Sequence, residues 1–284
     1  MKKQNKAKKK LSIKKSFKLT NLSSIGLILA VAAVASLGAG YFSKQASAAT
    51  VVPKSALIYG DSLTWESTWE INNVFAPKKG WTVNVHSFPA TAPCDWLGWL
   101  PTDLATYHPT VVSFTSAGNP SSNCMTGDAL TIGTDAYYAK YTQDINDMFA
   151  QVTATGAKFV YIAGPPFGDP VRDAAVIKIN AIAKQLAANY HGVSYSNAAR
   201  VALSKNNKYT DYLPCLRTET AAQGCSNGLI AIRTLTGLQA GLHLCPQGLP
   251  SDFPWFCTTY SSGEFRYGRA IANTTATPPK PILP

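Results

Sequence analysis

From residue 50 onward, short β-type apolar runs alternate with longer stretches of helical periodicity. Ser55–Tyr59 and Trp81–His86 read as strands, Val111–Thr115 as a third, Lys158–Ala163 as a fourth and Val193–Ser196 as a weaker fifth. Between them, Tyr138, Tyr141, Ile145, Met148, Phe149 and Val152 recur at helical spacing up to Gly156, and Val176, Ile179, Ile182, Ala183 and Leu186 do so up to Gly192. Strands separated by helices predict an α/β domain: a three-layer α/β/α sandwich around a central parallel sheet of about five strands. Ligands in such sheets bind beyond the carboxyl ends of the strands. The segments of interest are therefore Gly60-Asp61-Ser62 after the first run, Ser87–Trp96 after the second, Ser116–Met125 after the third and Gly164–Pro170 after the fourth. Leu203–Pro254 reads mostly as loop, and residues 273–284 as a disordered Pro/Thr-rich tail.

Upstream of this pattern the chain has a different character. Residues 1–48 carry ten lysines, from Lys2 to Lys44, and no acid; an uncharged apolar run follows from Ile25 to Phe42, then Ala46-Ser47-Ala48. A basic segment, an apolar core and a small-x-small site are the parts of an export signal cleaved near Ala48. A retained anchor is the other reading of the same run. Either one places a domain spanning 49–272 outside the cytoplasm, as a secreted or cell-surface protein, with no stable membrane insertion after cleavage. The formal charge of +11 shrinks accordingly, because 16 Lys and Arg then face 15 Asp and Glu. Nearly neutral domains lack the basic face that nucleic-acid binding requires, so nucleic acid is excluded as a partner.

The six cysteines, Cys94, Cys124, Cys215, Cys225, Cys245 and Cys257, suit an oxidising compartment and suggest disulfides. Metal binding is disfavoured, since no CxxC pair exists and His243 beside Cys245 is the one histidine near a cysteine.

Chemistry could arise at Ser62, where the first strand turns into a helix. A serine attacks an acyl carbon only when a base takes its proton and donors hold the oxyanion. Asp61 and Ser62 also serve as helix caps, the structural alternative. Asn119 follows the third strand and can aim its amide at the same place, and the loop at Ala90-Thr91 offers backbone N–H groups. Of four histidines, His86 falls inside a strand, while His108 and His191 sit at element ends. His243, in the late irregular segment "GLHLCPQG", can fold back over the strand ends as the base.

Gly60-Asp61-Ser62-Leu63, an Asn after the third strand and a late His together resemble the SGNH, or GDSL-type, hydrolases. "ATAPCDWL", "AGNPSSNCM", "LPCL" and "GLHLCP" resemble a secreted bacterial esterase branch with cysteines in these loops. The resemblance runs from about Ser55 to Ala272. It implies a flavodoxin-like α/β/α fold, with Ser62 as nucleophile and His243 as base. The oxyanion hole it implies is built from the Ser62 N–H, a backbone N–H near Ala90 and the Asn119 amide. No cofactor and no metal are implied. Bridges Cys94–Cys124, Cys215–Cys225 and Cys245–Cys257 fit the same picture. Two positions depart from the family pattern. Ala240 stands where D-x-x-H would place an Asp, which leaves three readings: a backbone carbonyl orients His243, another acid does so, Asp252 being the nearest downstream, or the enzyme is weak or inactive. Ala90 stands where Gly is usual, so a positive φ there is costly.

Trp65, Trp69, Trp96 and Trp99 cluster near the proposed site. Trp69, at i,i+4 from Trp65 on a helix, reads as ordinary packing, whereas Asp61, Trp96 and Arg233 are candidate substrate contacts. The leading functional reading is a monomeric exported serine esterase acting on a small-molecule or carbohydrate ester, O-acetyl groups among them. Acyl transfer to a sugar would use the same residues. A non-catalytic surface binding protein on this scaffold is the reading from another class, kept open by Ala240 and Ala90.

Overall fold

A computed structural model of the chain describes residues 53–126, 130–248 and 257–281. The expected export signal and its cleavage site lie outside the described residues, as does Asp252.

The first half alternates strand and helix. In chain order it runs β1 (Lys54–Gly60), α1 (Ser62–Glu66), α2 (Thr68–Phe75), β2 (Trp81–Ser87), α3 (Pro93–Leu97), α4 (Leu100–Tyr107), β3 (Val111–Phe114) and α5 (Asn123–Thr126). The longer helices follow: α6 (Asp135–Ala154), β4 (Lys158–Ile162), α7 (Pro170–Ala187), β5 (Val193–Ser196) and α8 (Ala198–Ala202). A small antiparallel hairpin of β6 (Tyr212–Pro214) and β7 (Leu229–Ala231) precedes the last helix, α9 (Ser262–Ala276).

β1 to β5 pair in parallel in the order β2-β1-β3-β4-β5. This is the flavodoxin-like order, and its switch point lies between β1 and β3, where connections leave in opposite directions. Strand side chains alternate between two apolar layers, as the pleat requires. Leu57, Tyr59, Val112, Phe114, Phe159 and Tyr161 pack with α3, α4 and α6 on one face. Ala56, Ile58, Val111, Val160 and Ile162 pack with α2 and α9 on the other. All five predicted strands fall within a residue of the observed ones. Burial on both faces is why they read as near-continuous apolar runs.

Two expectations are corrected. Asn273 to Ala276, expected in a disordered tail, complete α9; Thr274 and Thr275 are buried, and the Thr275 hydroxyl donates to Ser113 Oγ at 2.8 Å. A Pro/Thr-rich composition hid a helix whose threonines face the sheet and return their hydroxyls to the chain. The late segment also holds the β6–β7 hairpin where loop was expected. Among the described residues no helix is long and apolar enough to cross a membrane.

Disulfides join Cys94 to Cys124, Cys215 to Cys225 and Cys245 to Cys257. The first ties the segment after β2 to the segment after β3. Its two cysteines are 30 positions apart, so it restricts the unfolded chain by about 3–4 kcal/mol in the loop-entropy picture. Replacing both Cys94 and Cys124 by serine is expected to lower the unfolding free energy by about that much, measured by urea denaturation. A change below about 1 kcal/mol would contradict this assignment of stability.

Candidate active site

The site is assembled at the carboxyl ends of β1 and β3. β1 ends at Gly60, where an added Cβ would lie 2.0 Å from Thr64 Oγ1, so only glycine permits the tight turn into α1. Asp61 caps α1, its carboxylate accepting the Leu63 N–H at 3.1 Å. Ser62 is the first helical residue and is half-buried. Its N–H lies in the first turn, where helix N–H groups have no partner within the helix.

Asp61 does more than cap. It is buried, and its Oδ2 accepts the Ala117 N–H at 2.5 Å and Asn119 Nδ2 at 3.1 Å. Burial pushes its carboxyl up to about 6, against the downward pull of the Ala117 and Leu63 N–H groups and the charges of His243 and Arg172. The candidate contact between Asp61 and substrate is therefore corrected, because its oxygens are committed to the chain that surrounds them.

Asn119 stands after β3 as expected. Its Nδ2 donates to Asp61 and, at 3.0 Å, to the Thr91 carbonyl, so both amide protons are engaged. Arg172 Nη1 donates to Asn119 Oδ1 at 3.2 Å and to the Ala117 carbonyl at 3.3 Å, which settles which way the amide faces. On the β2 side, Thr91 Oγ1 donates to the Gly60 carbonyl at 3.2 Å. Ala90 has φ 61°, the left-handed conformation that its methyl group makes costly.

His243 is buried on the opposite side, on a segment held by the Thr234 N–H to the His243 carbonyl (2.9 Å) and the Thr234 hydroxyl to the Cys245 carbonyl (2.7 Å). The Cys245–Cys257 bridge follows two residues later. The group that orients the ring is Glu66. His243 Nδ1 is hydrogen-bonded to Glu66 Oε1, and Glu66 Oε2 accepts the Leu244 N–H at 2.8 Å. Both Glu66 oxygens are thus used, and its side chain is wholly buried. A carboxylate on Nδ1 selects the tautomer and steadies an imidazolium.

Sequence reading missed Glu66 because it looked for an acid near His243. The missing acid lies 177 residues upstream, on the same short helix as Ser62. The signal was present: Ser62 and Glu66 are four apart, hence neighbours on one helix face. Neither a carbonyl nor Ala240 takes the role, and Ala240 is exposed.

Two more expected substrate contacts are corrected. Arg233 has no exposed surface; its Nη2 donates to the Pro166 carbonyl at 2.7 Å and Nη1 to the Leu242 carbonyl at 3.3 Å, while Phe167 and Tyr209 face its guanidinium. Trp96 lies in the core, its ring 5.3 Å from that of Tyr59. Trp69, by contrast, was read as packing and is 75% exposed. Trp65 is half-buried, edge-to-face with Phe88 at 5.8 Å.

Residues 55–222 match the family model described as "Protein of unknown function (DUF459)". That range contains Ser62, Glu66, Ala90 and Asn119 and stops before His243. No curated protein matches the sequence. Among solved structures, the chain is similar to a lipase/acylhydrolase from Enterococcus faecalis, with 16% identity, TM-score 0.48 and coverage of 80% of this chain and 98% of that one. It is also similar to LAE5, an alpha/beta hydrolase enzyme from the metagenome of Lake Arreo, with 13% identity, TM-score 0.49 and coverage of 81% and 98%. A third is a mutant of Axe2, an acetyl-xylooligosaccharide esterase from Geobacillus, with 13% identity, TM-score 0.42 and coverage of 54% and 79%. With more than half its length matched by the family model, the chain belongs to the DUF459 family.

Proposed function

We propose that the protein is an exported serine esterase that hydrolyses small acyl esters through an acyl-enzyme. The observation that carries this reading is the buried contact between Glu66 and His243, on the helix that Ser62 begins. An imidazole with Nδ1 committed to a carboxylate has Nε2 as its proton-exchanging nitrogen.

The reaction then runs as two acyl transfers. Ser62 Oγ bonds to the ester carbonyl carbon as its proton passes to His243 Nε2, and Glu66 steadies the imidazolium. Collapse of the tetrahedral adduct breaks the bond to the alcohol, which leaves with the proton from His243. Water, deprotonated by the same nitrogen, attacks the acyl-Ser62 carbon; the acid departs and the serine regains its proton. The developing oxyanion draws on the N–H groups of Ser62 and Ala90. The Asn119 amide joins them by releasing Asp61 or the Thr91 carbonyl. In the alternative of acyl transfer, a sugar hydroxyl replaces the water and the same residues act.

Four variants test this chemistry. Ser62→Ala and His243→Ala should abolish p-nitrophenyl acetate hydrolysis, and Ser62→Ala should abolish fluorophosphonate labelling; a folded wild-type domain that shows neither activity would sink the esterase reading. Glu66→Gln should lower kcat by about 10²- to 10⁴-fold with a smaller change in KM, as expected when a tautomer-fixing carboxylate is neutralised. Ala240→Asp should change kcat/KM by less than about twofold, because Nδ1 already has its acid; a gain above about tenfold would show that Glu66 does not fill the role.

A further inference from the structure

Beside the candidate catalytic residues runs a groove of about 820 Å³, between α1–α2 and the start of α9. Glu66, whose buried carboxylate holds His243, stands behind its wall. Four rings stand in its walls: Trp65 and Trp69 on one side, Tyr260 and Phe265 on the other. Val85 is the one aliphatic side chain in its described lining. Neutral hydrogen-bonding groups, Asn72 and Thr259 among them, lie between the rings.

Charge narrows the occupant. No Lys or Arg lines the groove among the described residues, which speaks against a phosphate or carboxylate ligand. Its acids are largely offset. Glu70 pairs with Arg269 Nε at 3.3 Å. Burial pushes the Glu264 carboxyl up to about 8, so it is mainly neutral at pH 7 and able to donate a hydrogen bond. A long alkyl chain would call for an aliphatic lining, which the described residues of the groove do not supply beyond Val85. Flat rings interspersed with neutral donors and acceptors suit a molecule with apolar C–H faces and a hydroxylated rim. Trp69, three-quarters exposed, offers a free ring face on which a sugar can stack.

We propose that this groove binds the pyranose rings of a neutral, ester-bearing glycan, with Trp69 as a stacking platform. The proposal rests on the esterase reading for the fate of the ester, whereas the binding itself stands apart from catalysis.

Binding is measured on the Ser62→Ala protein by isothermal titration with xylohexaose, cellohexaose and chitohexaose, and in parallel with decanol. Saturable binding of at least one hexasaccharide is expected. Trp69→Ala should weaken it about tenfold, the worth of one ring contact. Trp69→Phe should restore most of the loss, and Trp99→Ala, on the exposed segment ahead of α4, should leave it unchanged. Binding of no hexasaccharide would overturn the proposal, as would hexasaccharide binding indifferent to Trp69→Ala. Decanol bound alone and lost in Trp69→Ala would reassign the groove to the acyl chain and also overturn it. Hexasaccharide binding in a protein whose wild-type form resists fluorophosphonate would leave the glycan site standing and remove the esterase.

Discussion

The candidate site hangs on one buried contact, the Glu66 carboxylate against the His243 imidazole. A carboxylate with no exposed surface costs several kcal/mol unless it is paired and hydrogen-bonded. Glu66 meets that demand with the imidazole on one oxygen and the Leu244 N–H on the other. Those two contacts anchor a segment with little regular secondary structure of its own to the first helix after β1. Fold and chemistry are thereby coupled. The turn at Gly60 sets the direction of α1, α1 places Ser62 and Glu66 one helical turn apart, and Glu66 fixes where His243 stands. Loss of either partner would strand the other in a dry site, a penalty of about 3–5 kcal/mol.

A second network steadies the opposite side. Asp61 gathers N–H donors from α1 and from the segment after β3, and Asn119 extends the web to the Thr91 carbonyl. Thr91 closes it by donating back to Gly60. The Cys94–Cys124 bridge spans the same two segments covalently. Such redundancy accounts for the survival of Ala90 in a left-handed conformation, since neighbours held this firmly can impose a strain of about 1–2 kcal/mol. The outcome is a preorganised surface between β1, β2 and β3 at the topological switch point, where open parallel sheets place their ligands.

The sheet was legible in the sequence because strands buried on both faces carry long apolar runs, and the residues after them are confined to strand ends. Ser62 and Asn119 could be proposed for that reason, and His243 as the one histidine in the late irregular segment. Glu66 could not be found by proximity in sequence to His243, because the fold closes a gap of 177 residues to bring them together. It was legible only from its spacing to Ser62. Arg233 and Trp96 were misread for a different reason. A guanidinium bonded to two backbone carbonyls and flanked by rings, or an indole in a core layer, looks the same in a sequence as one facing substrate. Trp69 erred in the opposite direction: helical spacing to Trp65 suggested packing, yet the helix turns that side to solvent.

The claim that Glu66 holds Nδ1 of His243 is tested most directly by proton NMR of the resting protein in the downfield region beyond the amides. The account predicts a resonance there from the proton shared between His243 Nδ1 and Glu66. That signal should vanish in Glu66→Gln and persist in Ser62→Ala, with both variants folded. A downfield signal unaffected by Glu66→Gln, or one lost only in Ser62→Ala, would contradict it.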